Sequence, residues 1–268
     1  MFHTIVTPRS PDMDAKLALT VGSALAQRFQ GTFVSAELVE SPMPSAASEA
    51  GSRQADLILL TPQRRDLTEI VWYPHTTSWA LLRLHTPLLF WPANLAPATL
   101  LTARHPTVVV PLDGHKHAER AIPLACSLAE VFGGEVVLTH VVPMALSSKL
   151  LGALASTIRR TRLARVHEIV SYLRHLQSET AERTTAPVTT KILLGEPGTA
   201  LVRLAKRQRI GAIVMTTHSR ARNERFFAGA VATQIVRQSP APTLLLPLGA
   251  ETETSPSFYH APAIPVTP

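Results

Sequence analysis

His115 and His117 flank Lys116, and with His140 they could meet at one edge of a sheet. Imidazoles suit zinc, but no paired cysteine or carboxylate stands at ligand spacing around them, so a metal site is not expected. Cys126 is the single cysteine and sits in the apolar run Leu124-Ala125-Cys126-Ser127-Leu128, where a thiol reads as a small buried hydrophobe rather than a nucleophile. Asp113 directly follows the β-branched run Val108-Val109-Val110-Pro111-Leu112. An acid there either reaches a ligand at the carboxyl edge of a parallel sheet or forms the turn ahead of a helix spanning Lys116 to Phe132. There is no Gly-x-Ser-x-Gly elbow and no complete phosphate-binding Walker loop. With no catalytic constellation, the residues point to binding or regulation rather than to an enzyme.

The elements that would carry these residues alternate. A strand running from Thr107 to Pro111 is followed by a helix, a second apolar run with Val137, and an Arg-rich helical stretch from Leu146 to about Ser178. Its apolar residues Leu150, Leu154, Ile158, Leu163, Val166, Ile169, Val170 and Leu173 keep a helical period, and Arg159, Arg160, Arg162 and Arg165 read as a solvated face. Then come a strand at Val188–Leu194, a helix at Pro197–Gln208, a strand at Ala212–Thr216, a helix after Gly229 and a strand at Thr243–Leu246. Gly195-Glu196-Pro197 reads as a strand-to-helix turn with proline at the first helical position. Strands alternating with helices imply a doubly wound parallel sheet of the α/β class.

The same pattern occurs earlier in the chain. Thr4-Ile5-Val6-Thr7-Pro8 corresponds to Thr107-Val108-Val109-Val110-Pro111, and the match continues through Leu25/Leu128, Phe29/Phe132, Gly31/Gly134 and Val34/Val137. Further on, Asp56 to Thr61 matches Ala212 to Thr217, and Pro87 to Pro92 matches Pro242 to Pro247. The offset grows by about 53 residues between these blocks, so the first copy lacks roughly a helix, a strand and the next helix between Val39 and Asp56. Two tandem units follow: a truncated one at 1–95 and a full one at 105–248, with a Pro-rich tail at 249–268. The shortened unit has fewer strands and should depend on packing against its sibling. Trp72, Tyr73, Trp79 and Trp91 are expected in its core or between the units. Leu88 to Trp91 and Leu244 to Leu246 should both be final strands, whose pairing makes an intramolecular pseudo-dimer, with a further homodimer open.

Composition narrows the class of partner. The 268 residues are 46% hydrophobic, enough for a sizeable core. The net charge of +7 would permit a nucleic-acid partner, but only 5% of residues are aromatic and none interleave with Arg and Lys as a strand-binding surface requires. No run approaches the length of a membrane span, no charged leader precedes an apolar stretch, and a lone cysteine fits a reducing compartment, so a cytoplasmic location is expected.

The motifs Val108 to Gly114, Gly195-Glu196-Pro197, His218 and Gly229-Ala230-Val231-Ala232 follow one another as in universal stress proteins, which residues 106–248 therefore resemble. The resemblance implies an adenine-nucleotide α-hydrolase-like sheet, a degenerate first unit and a stress-response role. Its nucleotide-binding members carry a glycine loop after the fourth strand. Glycines there let backbone approach phosphate, and a helix start supplies free N–H groups. The corresponding landmarks are Thr216, Ser219, Gly229 and Ala230, so one glycine of the pattern is kept. Arg220, Arg222 and Arg225 could replace neutral donors with charge. The resemblance implies a ligand set of Pro111, Asp113, Met215, Thr216, His218, Ser219, Gly229, Ala230 and Val231, with ATP as the possible cofactor.

In the first unit Thr61-Pro62-Gln63-Arg64-Arg65 replaces the loop and Ser10 takes the place of Asp113, so no nucleotide site is expected there. The function these features imply is a stress-type binding or regulatory protein with weakened or lost nucleotide binding, working through a protein partner. The alternative is an ATP-binding sensor with slow hydrolysis.

Overall fold

The computed structural model describes residues 2–9, 13–37, 55–62, 86–93, 95–96, 105–143, 155–208, 210–217 and 229–248, with only the backbone of 36–37 and 155–165. The strands are β1 (Thr4–Arg9), β2 (Thr32–Glu37), β3 (Leu57–Leu60), β4 (Leu88–Phe90), β5 (Thr107–Leu112), β6 (Glu135–Val142), β7 (Val188–Leu194), β8 (Ala212–Thr217) and β9 (Thr243–Pro247). Among the described residues the helices are α1 (Ala15–Phe29), α2 (Lys116–Glu119), α3 (Ile122–Phe132), α4 (Ala155–Ala181), α5 (Pro197–Gln208) and α6 (Ala230–Gln238). The nine strands of the described residues join one sheet in the order β2-β1-β3-β4-β9-β8-β5-β6-β7. The α/β class and the doubly wound sheet read from the sequence are those observed.

Within each half the strands run parallel, and the halves meet where β4 pairs antiparallel with β9. The register of that seam is self-complementary. Leu89 faces Leu244, its own counterpart in the repeat, while Leu88 faces Leu245 and Phe90 faces Thr243. Phe29 and Phe132, also counterparts, touch edge to face with centroids 6.0 Å apart. Both contacts are isologous, as at a two-fold axis relating like surfaces. One face of the sheet packs a continuous core that includes Ile5, Leu25, Phe29, Leu57, Trp91, Val108, Leu128, Phe132, Ile169 and Val214; the other unites Ile58, Leu88 and Phe90 with Val109, Leu201, Ile213 and Ile235. Each core draws on both halves.

One expectation is corrected. The helix read as Lys116 to Phe132 is broken at Arg120–Ala121, because Pro123 falls in the first turn of α3 and cannot donate a backbone bond to the preceding turn. The long Arg-rich helix is seen over Ala155–Ala181; its expected start at Leu146 lies outside the described residues, as do the side chains of Arg159, Arg160, Arg162 and Arg165, Trp72, Tyr73, Trp79 and the tail.

Candidate functional site

In the second half β5 sends the chain one way to β6 and β7, and β8 returns on its other side. The carboxyl ends of β5 and β8 therefore flank the crevice where open α/β sheets bind ligands. Pro111 is half-buried near the end of β5, Asp113 is exposed just beyond it, and Gly114 turns the chain with φ +88°. Across the crevice, Met215 and Thr216 are buried near the end of β8. Met215 joins the core beneath α5 and α6. The next residue, Thr217, is 5% exposed and its hydroxyl has no hydrogen-bond partner among the described residues. Such a group carries an uncompensated desolvation cost. Gly229 and Ala230 are exposed at the start of α6, with Val231 half-buried. The bond from Thr233 N–H to the Gly229 carbonyl is the first along this helix, so the amides ahead of it face outward from the helix start.

Asp113 is engaged with its own loop. Oδ1 accepts the His115 backbone N–H at 2.9 Å, and Oδ2 lies 3.5 Å from His117 Nε2. The His115 and His117 rings stack at 4.9 Å. This is the turn-forming arrangement, with the carboxylate fastening the entry to α2. His140 is buried on β6, opposite Leu112, and among the described residues no group of three His, Cys, Asp or Glu could hold a metal ion. Cys126 is buried in α3, and burial raises its thiol pKa despite an opposing hydrogen bond from Thr184.

The structure thus brings Pro111, Asp113, Met215, Thr216, Gly229, Ala230 and Val231 to one edge of the second half. His218, Ser219 and the three loop arginines lie outside the described residues. The strand-to-helix turn read at Gly195-Glu196-Pro197 is observed, with Gly195 at φ +126° and Pro197 opening α5. Two local details were not foreseen. Glu196 caps α5, accepting from Gly198 N–H at 3.1 Å and Thr199 N–H at 2.7 Å. The Thr199 hydroxyl and amide hold the Glu196 carboxyl below its usual range. Thr217 stood only at the end of the repeated block Ala212 to Thr217, since the burial of its hydroxyl depends on neighbours brought by the fold.

The corresponding crevice of the first half is stitched across. Met13 bridges Pro62, Asp14 N–H donates to the Thr61 carbonyl at 2.8 Å, and the Thr61 hydroxyl donates to the Asp14 carbonyl at 3.1 Å. Because β4 and β9 are antiparallel, the two carboxyl edges face opposite sides of the sheet.

A doubly wound sheet whose strand order reverses at a topological switch point defines a protein of the α/β class. A model of the universal stress protein family matches residues 105–247, more than half of the sequence, and the chain belongs to that family. Among solved structures it is similar to a universal stress protein from Archaeoglobus fulgidus, with 14% identity and a TM-score of 0.61, covering 92% of this chain and 97% of that one. It is also similar to a functionally unknown protein from Pseudomonas aeruginosa, with 16% identity and a TM-score of 0.60, covering 91% of this chain and 92% of that one. These likenesses concern the fold, and their coverage takes in both halves. No curated protein matches the sequence.

Proposed function

We propose that this chain is a stress-response regulatory protein that works by binding, with nucleotide affinity at the second-half crevice weakened or lost. The observation that carries this reading is Asp113, the acid of the crevice, committed to the His115 amide and facing His117. Side chains at Thr216 and Ser219, where nucleotide-binding relatives have glycine, support it, because a Cβ obstructs the approach of backbone to phosphate. The truncated first half serves as a structural partner, and the output runs through a protein partner in the cytoplasm, a compartment in keeping with the free thiol of Cys126. The Thr217 hydroxyl, without a partner among the described residues at the carboxyl end of β8, favours a second reading in which ATP is bound and slowly hydrolysed.

Titration calorimetry of the full chain with ATP and Mg²⁺, beside Asp113→Ala and Thr217→Val, separates the two. No saturable heat at millimolar ATP is expected. One-site binding that is lost in Thr217→Val would replace the first reading by the second.

A further inference from the structure

We propose that the β2 edge, with the adjoining flank of α1, is a contact surface between two copies of this chain. The inference is independent of the nucleotide reading. It starts from what β7 and α4 cover in the second half. In the second half, β6 is an inner strand with β7 beyond it, and α4 packs across both. Among the described residues the first half has no counterpart of β7 or α4, and β2 ends the sheet. Only nineteen residues (38–56) join β2 to β3, fewer than the 27 of α4 alone, so this connection cannot supply both a helix of that length and a further strand.

The repeat measures the consequence residue by residue. Ile122 is 8% exposed in the core that also holds Ile169 and Leu173 of α4, and its counterpart Leu19 is 52% exposed. Val136 and Leu138 are fully buried on β6, whereas their counterparts Phe33 and Ser35 on β2 are half-buried. The uncovered residues lie together. A Cβ on Gly22 would strike the Phe33 ring, which places that stripe of α1 over β2, and Leu19 stands one turn earlier on the same stripe.

The backbone tells the same story. Thr32 N–H donates to the His3 carbonyl at 2.7 Å, so by the alternation of a parallel ladder Thr32 and Val34 turn toward β1 while Phe33 and Ser35 turn outward. The opposite edge, β7, is guarded: Gln177 Nε2 donates to the Val188 carbonyl at 2.7 Å, and Lys191 sits in mid-strand, the usual devices against edge pairing. In β2 the sequence Thr-Phe-Val-Ser-Ala-Glu contains neither lysine nor proline.

A second copy is the occupant that fits. An isologous contact sets β2 antiparallel to its partner, the same union of like edges that already joins β4 to β9 within the chain. Centred on Val34, it places Phe33 of each copy opposite Ser35 of the other and sets no like charges face to face. It also carries Leu19 of each α1 toward the other copy. The Pro-rich stretch 249–268 is a poorer occupant, since each proline removes a ladder donor.

Sedimentation of the full chain at micromolar concentration tests this, with hydrogen exchange at the Phe33 and Ser35 amides. The expected result is a dimer in which both amides are protected. Ser35→Pro deletes an outward N–H while sparing the ladder to β1, and Leu19→Lys changes only an exposed helix position; both should yield folded monomers with fast-exchanging Phe33. A monomeric wild type would overturn the proposal, whether its β2 amides exchange freely or are protected by the chain's own terminus. So would a dimer that survives both substitutions.

Discussion

Glu196 shows how much a single side chain does at a strand-to-helix turn. Its carboxylate accepts two amides at the start of α5, and its pKa is lowered by the Thr199 hydroxyl and amide. A carboxyl with a depressed folded pKa adds stability above its unfolded pKa and loses it as pH falls through the folded value. Glu196→Gln should therefore lower the unfolding temperature at neutral pH, by the equivalent of up to about 1 kcal/mol for a cap. The gap to wild type should close in acid, and thermal melts across pH would reveal a constant gap if the charge were irrelevant. Glu130, lowered by the Thr184 hydroxyl and the Thr185 amide, follows the same sign. Gly134 makes a different kind of demand. A Cβ there would run into the Pro106 carbonyl, and at its counterpart Gly31 into the His3 carbonyl at 2.5 Å. Backbone cannot swing aside, so Gly134→Ala should cost about 1–3 kcal/mol in urea unfolding. A neutral result would mean that the strand entry shifts freely.

At the scale of elements, the repeat offers paired experiments on one geometry. Both α1 and α3 end in the left-handed region, at Gln30 with φ +53° and at Gly133 with φ +63°. Nothing lies within 4 Å of a Cβ built on Gly133, so the difference between the sites is backbone preference rather than space. Gly133→Ala should cost about 1 kcal/mol and Gln30→Gly should gain a few tenths, since only glycine enters this region without a steric penalty. Chemical denaturation of both variants checks the pair, and equal effects of the same sign would refute the argument. These caps were half legible beforehand: Gly134 and Gly31 stood out as helix-ending landmarks, but which residue takes the positive φ follows from the chain path. The strands were legible because β-branched runs recur at fixed offsets, and so was the seam, because two runs had to be last. The break at Arg120–Ala121 was missed because helical period masked Pro123. The state of Asp113 was left open between ligand contact and turn former, since only coordinates show its oxygens directed at the His115 amide and toward His117. The stitching of Met13 to Pro62 could not be read either, as it depends on two loops brought together by the sheet.

The whole molecule is bound across its pseudo-two-fold. The seam between β4 and β9 makes one sheet of two halves, and on one face Phe2 meets Phe29 at 5.4 Å, Phe29 meets Phe132 at 6.0 Å, and the Arg28 guanidinium lies 5.8 Å from the Phe132 ring. Trp91, from the first half, is fully buried in the same core as Val108, Leu128 and Val214 from the second. A shortened unit whose apolar residues are shared in this way has no separate core to melt, so the chain should unfold in one cooperative transition. The three tryptophans, Trp72, Trp79 and Trp91, all belong to the first half, which makes their fluorescence a local probe. Phe132→Ala, in the second half, removes a large buried ring and should cost about 3–5 kcal/mol. It should shift the fluorescence transition as far as the loss of circular dichroism, and in the same direction. If the halves were independent, the tryptophan signal would keep its wild-type midpoint while the ellipticity change split into two steps, and the shared core would then contribute contact without coupling.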